Sequence, residues 1–142
     1  MKSLNKFTIV IDNRDCNCDL VLASIEKFLF SCTTTTETIK DIKTSALEAL
    51  NNCNKHSGAT KIYITVNLYE NYMVKITIRD NGCGIDDVKK AREPLFTTKK
   101  EKCSGLGFSV MESFCDKVIV KSTLDKGTTV TLSKDLRIDK FE

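Results

Sequence analysis

Arg79-Asp80-Asn81-Gly82-Cys83-Gly84-Ile85 follows an alternating run, Val74-Lys75-Ile76-Thr77-Ile78, and reads as a tight turn leaving a β-strand. A carboxylate at a strand's end can accept a hydrogen bond from an exocyclic amine, and Gly82 and Gly84 allow the backbone to turn sharply beside it. Adenine presents such an amine where guanine presents a carbonyl, so Asp80 in this setting favours adenine. Taken alone, the same residues also make a plain Asp-Asn-Gly turn.

About thirty residues upstream lies Glu48-Ala49-Leu50-Asn51-Asn52. It sits within a stripe of Ile39, Ile42, Ala46, Leu47, Leu50 and Cys53, which predicts a long helix. Thr34-Thr35-Thr36-Glu37 reads as a capping box at its start, and Ser57-Gly58 ends it. Asp41, Ser45, Glu48 and Asn52 fall on another side, one above the next. Glu48 and Asn52, four apart, share a helix face. Asn52 can give Mg²⁺ a neutral oxygen, the hard ligand that this ion shares with phosphates and water. Glu48, one turn away, can accept a proton from an attacking hydroxyl or water. Asn51 points elsewhere, so the ligand role falls to Asn52. A solvated polar face would show the same spacing.

Downstream, Pro94-Leu95-Phe96-Thr97-Thr98-Lys99-Lys100 leads to Ser104-Gly105-Leu106-Gly107, which opens a helix running through Phe114. Glycines just before a helix expose free amides, and the helix dipole adds positive potential, which suits an anion. Lys99, Lys100 and Lys102 add charge, and such a loop can close over a triphosphate as a lid. Gly127-Thr128-Thr129 then opens the last strand, where a hydroxyl can reach a base.

The remaining elements fit around these. Phe7–Ile11 reads as a strand and about Asp19–Ser31 as a helix. Lys61–Tyr69 and Met73–Asp80 form a hairpin through Glu70-Asn71. A short helix is expected near Asp87–Arg92, and a last hairpin pairs Val118–Ser122 with Thr128–Leu132 around Asp125-Lys126-Gly127. The expectation is one domain over residues 1–142: an α/β (α+β) two-layer sandwich, with a mixed sheet covered by helices on one face.

A net charge of +3 and no long Lys/Arg run argue against a direct nucleic-acid surface. No stretch reads as a membrane span or a secretory leader. The seven cysteines are odd in number and contain no Cys-x-x-Cys pair, and His56, the one histidine, has no metal-ligand spacing to them. They read as small apolar residues of a reduced, cytoplasmic protein.

In this order, a Glu-x-x-x-Asn helix, an Asp-x-Gly-x-Gly strand end, a flexible loop, a Gly-x-Gly helix start and a Gly-Thr strand resemble the Bergerat-type ATP-binding fold. That is the family of gyrase, the Hsp90 chaperones, histidine kinases and MutL. The likeness spans about residue 36 to 133. Ala91-Arg92-Glu93-Pro94-Leu95-Phe96-Thr97-Thr98-Lys99, Ser104-Gly105-Leu106-Gly107-Phe108 and Met111-Glu112-Ser113-Phe114 look like one subgroup, the anti-sigma factors of the sporulation type that are also serine kinases. The resemblance implies a homodimer that binds Mg-ATP and holds a sigma factor. It also implies phosphorylation of a serine on a STAS-type anti-anti-sigma antagonist. Glu48 would be the general base and Asn52 the Mg²⁺ ligand. Asp80 and Thr128 would read adenine in ATP or ADP. Gly82, Gly84, Gly105, Leu106 and Gly107 would shape the pocket, and Thr97, Thr98 and Lys99 would belong to the lid. By spacing, Leu22 and Cys103 stand where this subgroup often has arginine. Two neighbouring readings are a binding-only nucleotide switch and a detached histidine-kinase-like catalytic domain.

Overall fold

The computed structural model describes residues 1–56, 58–85, 88, 92 and 107–137. The chain runs β1 (Ser3–Asp12), α1 (Asn17–Phe30), α2 (Thr36–His56), β2 (Lys61–Tyr69), β3 (Met73–Asp80), α3 (Gly107–Phe114), β4 (Lys117–Thr123) and β5 (Gly127–Asp135). The strands form one sheet in the order β1-β2-β3-β5-β4.

Every neighbouring pair is antiparallel, so the expected mixed sheet is corrected to a wholly antiparallel one. The reason is where β5 goes. The connection through α3 leaves β4 running in the same direction as β3, which would make a parallel pair if the two touched. β5 instead turns back from β4 and inserts between them, so β3 and β4 each pair with β5 and not with one another.

The two-layer arrangement follows from residue patterning. In β2, Ile62, Ile64, Val66 and Leu68 are buried and alternate with Lys61, Tyr63, Thr65, Asn67 and Tyr69 on the open face. Val74, Ile76 and Ile78 of β3 and Val130 and Leu132 of β5 continue the apolar face. Val21, Ile25 and Leu29 of α1 and Ile39, Ile42, Ala46, Ala49, Leu50 and Cys53 of α2 cover it. Burying each of the larger side chains contributes about 1.5–3 kcal/mol. On the open face the Arg79 guanidinium stacks 4.0 Å from the Tyr63 ring centre.

Three local details differ from expectation. Leu47 is 36 % exposed, and Ala49 takes its place in the buried stripe. The cap of α2 is Thr35 rather than Thr34: its Oγ1 accepts the Thr38 amide at 3.1 Å, while Thr34 Oγ1 is buried. With four threonines in a row, spacing alone does not choose which one caps. The β2–β3 turn uses Tyr72 as well as Glu70 and Asn71, with Tyr72 at a φ of 60° and its amide bonded to the Tyr69 carbonyl at 2.9 Å. The end of α2 agrees with expectation, Gly58 taking a φ of 66° two residues beyond it. No helix among the described residues is long and apolar enough to cross a membrane.

Candidate functional site

Asp80 is the last residue of β3, and strand alternation turns it to the same face as Ile76 and Ile78. It is 5 % exposed. Burying a carboxylate is costly unless donors meet it, and two do. The Gly82 amide donates to Oδ1 at 2.8 Å, and the Cys53 thiol of α2 donates to Oδ2 at 3.4 Å. Gly82 thus contributes its N–H. Gly84 contributes its conformation: it sits at a φ of 79°, where a side chain would collide with the Thr123 carbonyl.

Asn81 braces this turn from behind. Its Oδ1 accepts the amides of Thr60 and Lys61 at 2.9 and 3.0 Å, and its Nδ2 donates to Thr60 Oγ1 at 2.9 Å. The end of β3 is thereby tied to the segment that follows α2.

Thr128 lies beside Asp80 because β3 and β5 pair with Arg79 opposite Thr129. It is 7 % exposed. Its hydroxyl is 2.8 Å from Ser122 Oγ, which accepts the Ile85 amide at 2.6 Å and donates to the Gly127 carbonyl at 3.2 Å. With its one proton so used, Ser122 accepts from Thr128. Ser122 therefore fixes Thr128 and the Gly84-Ile85 segment together. Sequence reading missed it, because a serine inside a strand carries no local signal of such a role. The same holds for Cys53, whose place in the apolar stripe of α2 carries no sign of its donation to Asp80.

Glu48 and Asn52 project from α2 toward the first residue of α3. A Cβ built on Gly107 would lie 3.4 Å from Glu48 Oε2, 3.5 Å from Asn52 Oδ1 and 3.6 Å from Asn52 Nδ2. Both side chains are partly exposed. Below them on the same stripe, Ser45 is fully buried and bonds the Asp41 carbonyl at 3.0 Å, and the Cys115 thiol at the end of α3 is pushed up by burial, with the Ser45 hydrogen bond opposing. Lys134 of β5 donates to the Phe114 carbonyl at 2.6 Å and lies 4.0 Å from Asp41 Oδ2, which holds the C-terminus of α3. The stripe foreseen as polar is thus the seam between α2 and α3, open only at its Glu48–Asn52 end.

The two halves meet on α2, where Asn52 faces Gly107 and the next residue, Cys53, donates to Asp80. Thr97, Thr98, Lys99, Gly105 and Leu106, with Cys103 and most of the expected helix near Asp87–Arg92, lie outside the described residues. A separate groove of about 400 Å³ runs between α1 and α2, lined by Leu22, Lys43 and Leu47 among others and crossed by a Glu26–Lys43 ion pair of 2.9 Å. None of the residues read as nucleotide-binding lines it.

A nucleotide is compatible with these residues. The two described donors occupy two of the roughly four acceptor positions of the Asp80 carboxylate, which leaves room for an amine. Among the described residues no group of three or more His, Cys, Asp or Glu can hold a metal by itself. An Asn oxygen beside Gly107 suits a Mg²⁺ that takes its other ligands from phosphates and water.

An antiparallel sheet carrying its helices on one face, with a strand-end Asp opposite a Glu/Asn helix, is the architecture of the Bergerat ATPases. The profile of the histidine kinase-, DNA gyrase B- and HSP90-like ATPase family matches residues 37–138. An anti-sigma F factor of Geobacillus stearothermophilus is 38 % identical over 137 residues, 92 % of each chain. That of Bacillus subtilis strain 168 is 41 % identical over 122 residues, 82 % of this chain and 83 % of the relative. Among solved structures, the RsbU and RsbW domains of a Mycobacterium tuberculosis protein superpose with a TM-score of 0.71 at 19 % identity, over 93 % of this chain and 32 % of that longer one. The mycobacterial sensor histidine kinase MprB gives 0.60 at 16 % identity, over 92 % of this chain and 99 % of its own. The chain belongs to the histidine kinase-, gyrase B- and HSP90-like ATPase family and, within it, to the anti-sigma F factors. ATP or ADP is the ligand that this family's domain implies.

Proposed function

We propose that this protein is a nucleotide-dependent anti-sigma factor and serine kinase. It holds a sigma factor away from transcription while Mg-ATP is bound. It is released when a STAS-type anti-anti-sigma antagonist competes, and it inactivates that antagonist by phosphorylating one of its serines. The observation that carries this reading is the meeting of Glu48 and Asn52 at Gly107, one residue along α2 from the thiol that holds Asp80.

The chemistry assigned to each residue follows from its setting. Asp80, whose two oxygens accept from the Gly82 amide and the Cys53 thiol, also takes the exocyclic amine of adenine, and Thr128 stands beside it at the base. The amides opening α3, beginning at Gly107, face the phosphates. Asn52 would hold Mg²⁺, which when bound neutralises charge on the phosphate oxygens. Glu48 accepts the proton of the attacking serine hydroxyl. The serine oxygen bonds to the γ-phosphorus as the bond to the β,γ-bridging oxygen breaks, and ADP departs. Such a transfer asks the protein mainly for position and charge stabilisation. The protein acts as a homodimer in this reading, in the cytoplasm, without contacting nucleic acid or membrane.

The test is phosphotransfer. Purified protein is mixed with Mg-ATP and the host's anti-anti-sigma protein, and any phosphate is located by mass spectrometry. Phosphoserine on the antagonist supports the kinase. Acid-labile phosphohistidine on a partner would favour a histidine-kinase-like catalyst. ATP-dependent sigma binding without transfer would favour the binding-only switch.

A further inference from the structure

Cys53 is buried at the centre of the molecule, 4 % exposed, yet it is not simply core filler. Its sulfur lies 3.4 Å from Asp80 Oδ2, in a hydrogen bond joining α2 to the end of β3 across 27 residues of sequence. The other oxygen of the same carboxylate is fixed at 2.8 Å by the Gly82 amide. Between them, these two donors set the plane of the carboxylate and keep both oxygens as acceptors. The geometry points to Cys53 as a positioning and specificity residue for the nucleotide base, acting through Asp80.

The chemistry behind this is directional. A carboxylate reads an amino group only while it is ionised and correctly turned. Protonated, it would become a donor and could meet a carbonyl instead. A thiol serves here only as S–H, because a thiolate beside the carboxylate would repel it. Cys53 touches no reacting atom, and its neighbour Asn52 faces the other part of the site. Substitution at 53 should therefore act on base recognition and leave triphosphate contacts alone.

This inference rests on the nucleotide site proposed above, and the experiment separates the two. ATP, GTP and inorganic tripolyphosphate are titrated calorimetrically into the full-length protein and into Cys53→Ala and Cys53→Ser. The expected result is that the wild type prefers ATP to GTP. Cys53→Ala should lose about three- to tenfold in ATP affinity, the net value of one ordinary hydrogen bond, with tripolyphosphate unmoved. Cys53→Ser, which keeps a donor, should recover most of the loss. The S–H stretching band gives a readout independent of ligand: it should shift to higher frequency in Asp80→Asn and vanish in Cys53→Ser. ATP binding by the wild type with Cys53→Ala unchanged for both nucleotides would overturn the role of Cys53 and leave the site standing. Equal losses for ATP and tripolyphosphate would make Cys53 merely structural and overturn it too. No nucleotide binding by the folded wild type would remove the site and the inference together.

Discussion

Gly107 and Glu48 meet across the seam between α2 and α3: a single methyl group added to the glycine would lie 3.4 Å from the Glu48 carboxylate. Gly107→Ala therefore separates folding from binding. Alanine favours a helix over glycine by up to about 1 kcal/mol, so thermal stability should hold or rise. The same methyl meets Glu48 and Asn52 only in ordinary van der Waals contact, but it fills the space beside the first amide of α3 where a phosphate would approach, and ATP binding should weaken by roughly tenfold. Melting and calorimetric titration of one variant check both halves. Undiminished ATP affinity would move the phosphate site away from Gly107.

Gly127 gives the contrasting case. Its φ is 130°, and a Cβ there would lie 3.0 Å from the Asp80 carbonyl carbon and nearer still to its oxygen. Gly127→Ala must push β5 from β3 at the point where Thr128 and Asp80 lie side by side. We expect a loss of roughly 2–4 kcal/mol of stability, combining backbone strain with a clash against main chain. The urea midpoint measures it, and a midpoint equal to wild type would contradict the packing described here.

Glu48→Gln keeps the shape and removes the basicity. ATP affinity should stay within about threefold, while phosphotransfer to the antagonist falls by about 10²–10⁴, the range for loss of a general base. Transfer at the wild-type rate would remove Glu48 from the mechanism.

Asp80→Asn replaces one acceptor oxygen by an NH₂ group at a site that is 5 % exposed. Either the Cys53 thiol or the Gly82 amide then faces a donor, and one acceptor fewer is left for the adenine amine. ATP affinity should drop by at least about tenfold, with tripolyphosphate binding unaffected. Unchanged ATP affinity would show that the base lies elsewhere.

Lys134→Met removes the cation that holds the Phe114 carbonyl at 2.6 Å while keeping the apolar stem. A loss of about 1–2 kcal/mol in stability is expected from the unmet carbonyl at the end of α3. The chemical-denaturation midpoint would show it.

What could be read from the sequence was local. Strict alternation placed β2 and β3 to the residue, and Gly58 marked the end of α2 through the backbone it needs. Asp80, Glu48, Asn52 and Thr128 each stood in a recognisable neighbourhood, and the structure places Glu48 with Asn52 and Asp80 with Thr128. What could not be read is what distant segments settle between them. Nothing within β4 or β5 says that β5 inserts beside β3, so strand patterning alone is equally consistent with a mixed sheet. Leu47 fits the helical stripe as well as Ala49 does, and only the position of α1 and the sheet decides which is covered. Ser122 and Ile85 are 37 residues apart, and Cys53 and Asp80 are 27 apart, so their contacts leave no trace in either neighbourhood.

Helix α2 carries Glu48, Asn52 and Cys53 within little more than one turn, a rise of about 1.5 Å per residue. In the proposed complex the two ends of the nucleotide are thus gauged against a single stiff rod. A ligand with the right base and a differently spaced phosphate chain would be in register at one end and out at the other. The same rod, displaced along its axis by any partner that grips it, would shift both measurements at once, so grip on the base and alignment of the phosphates would change together.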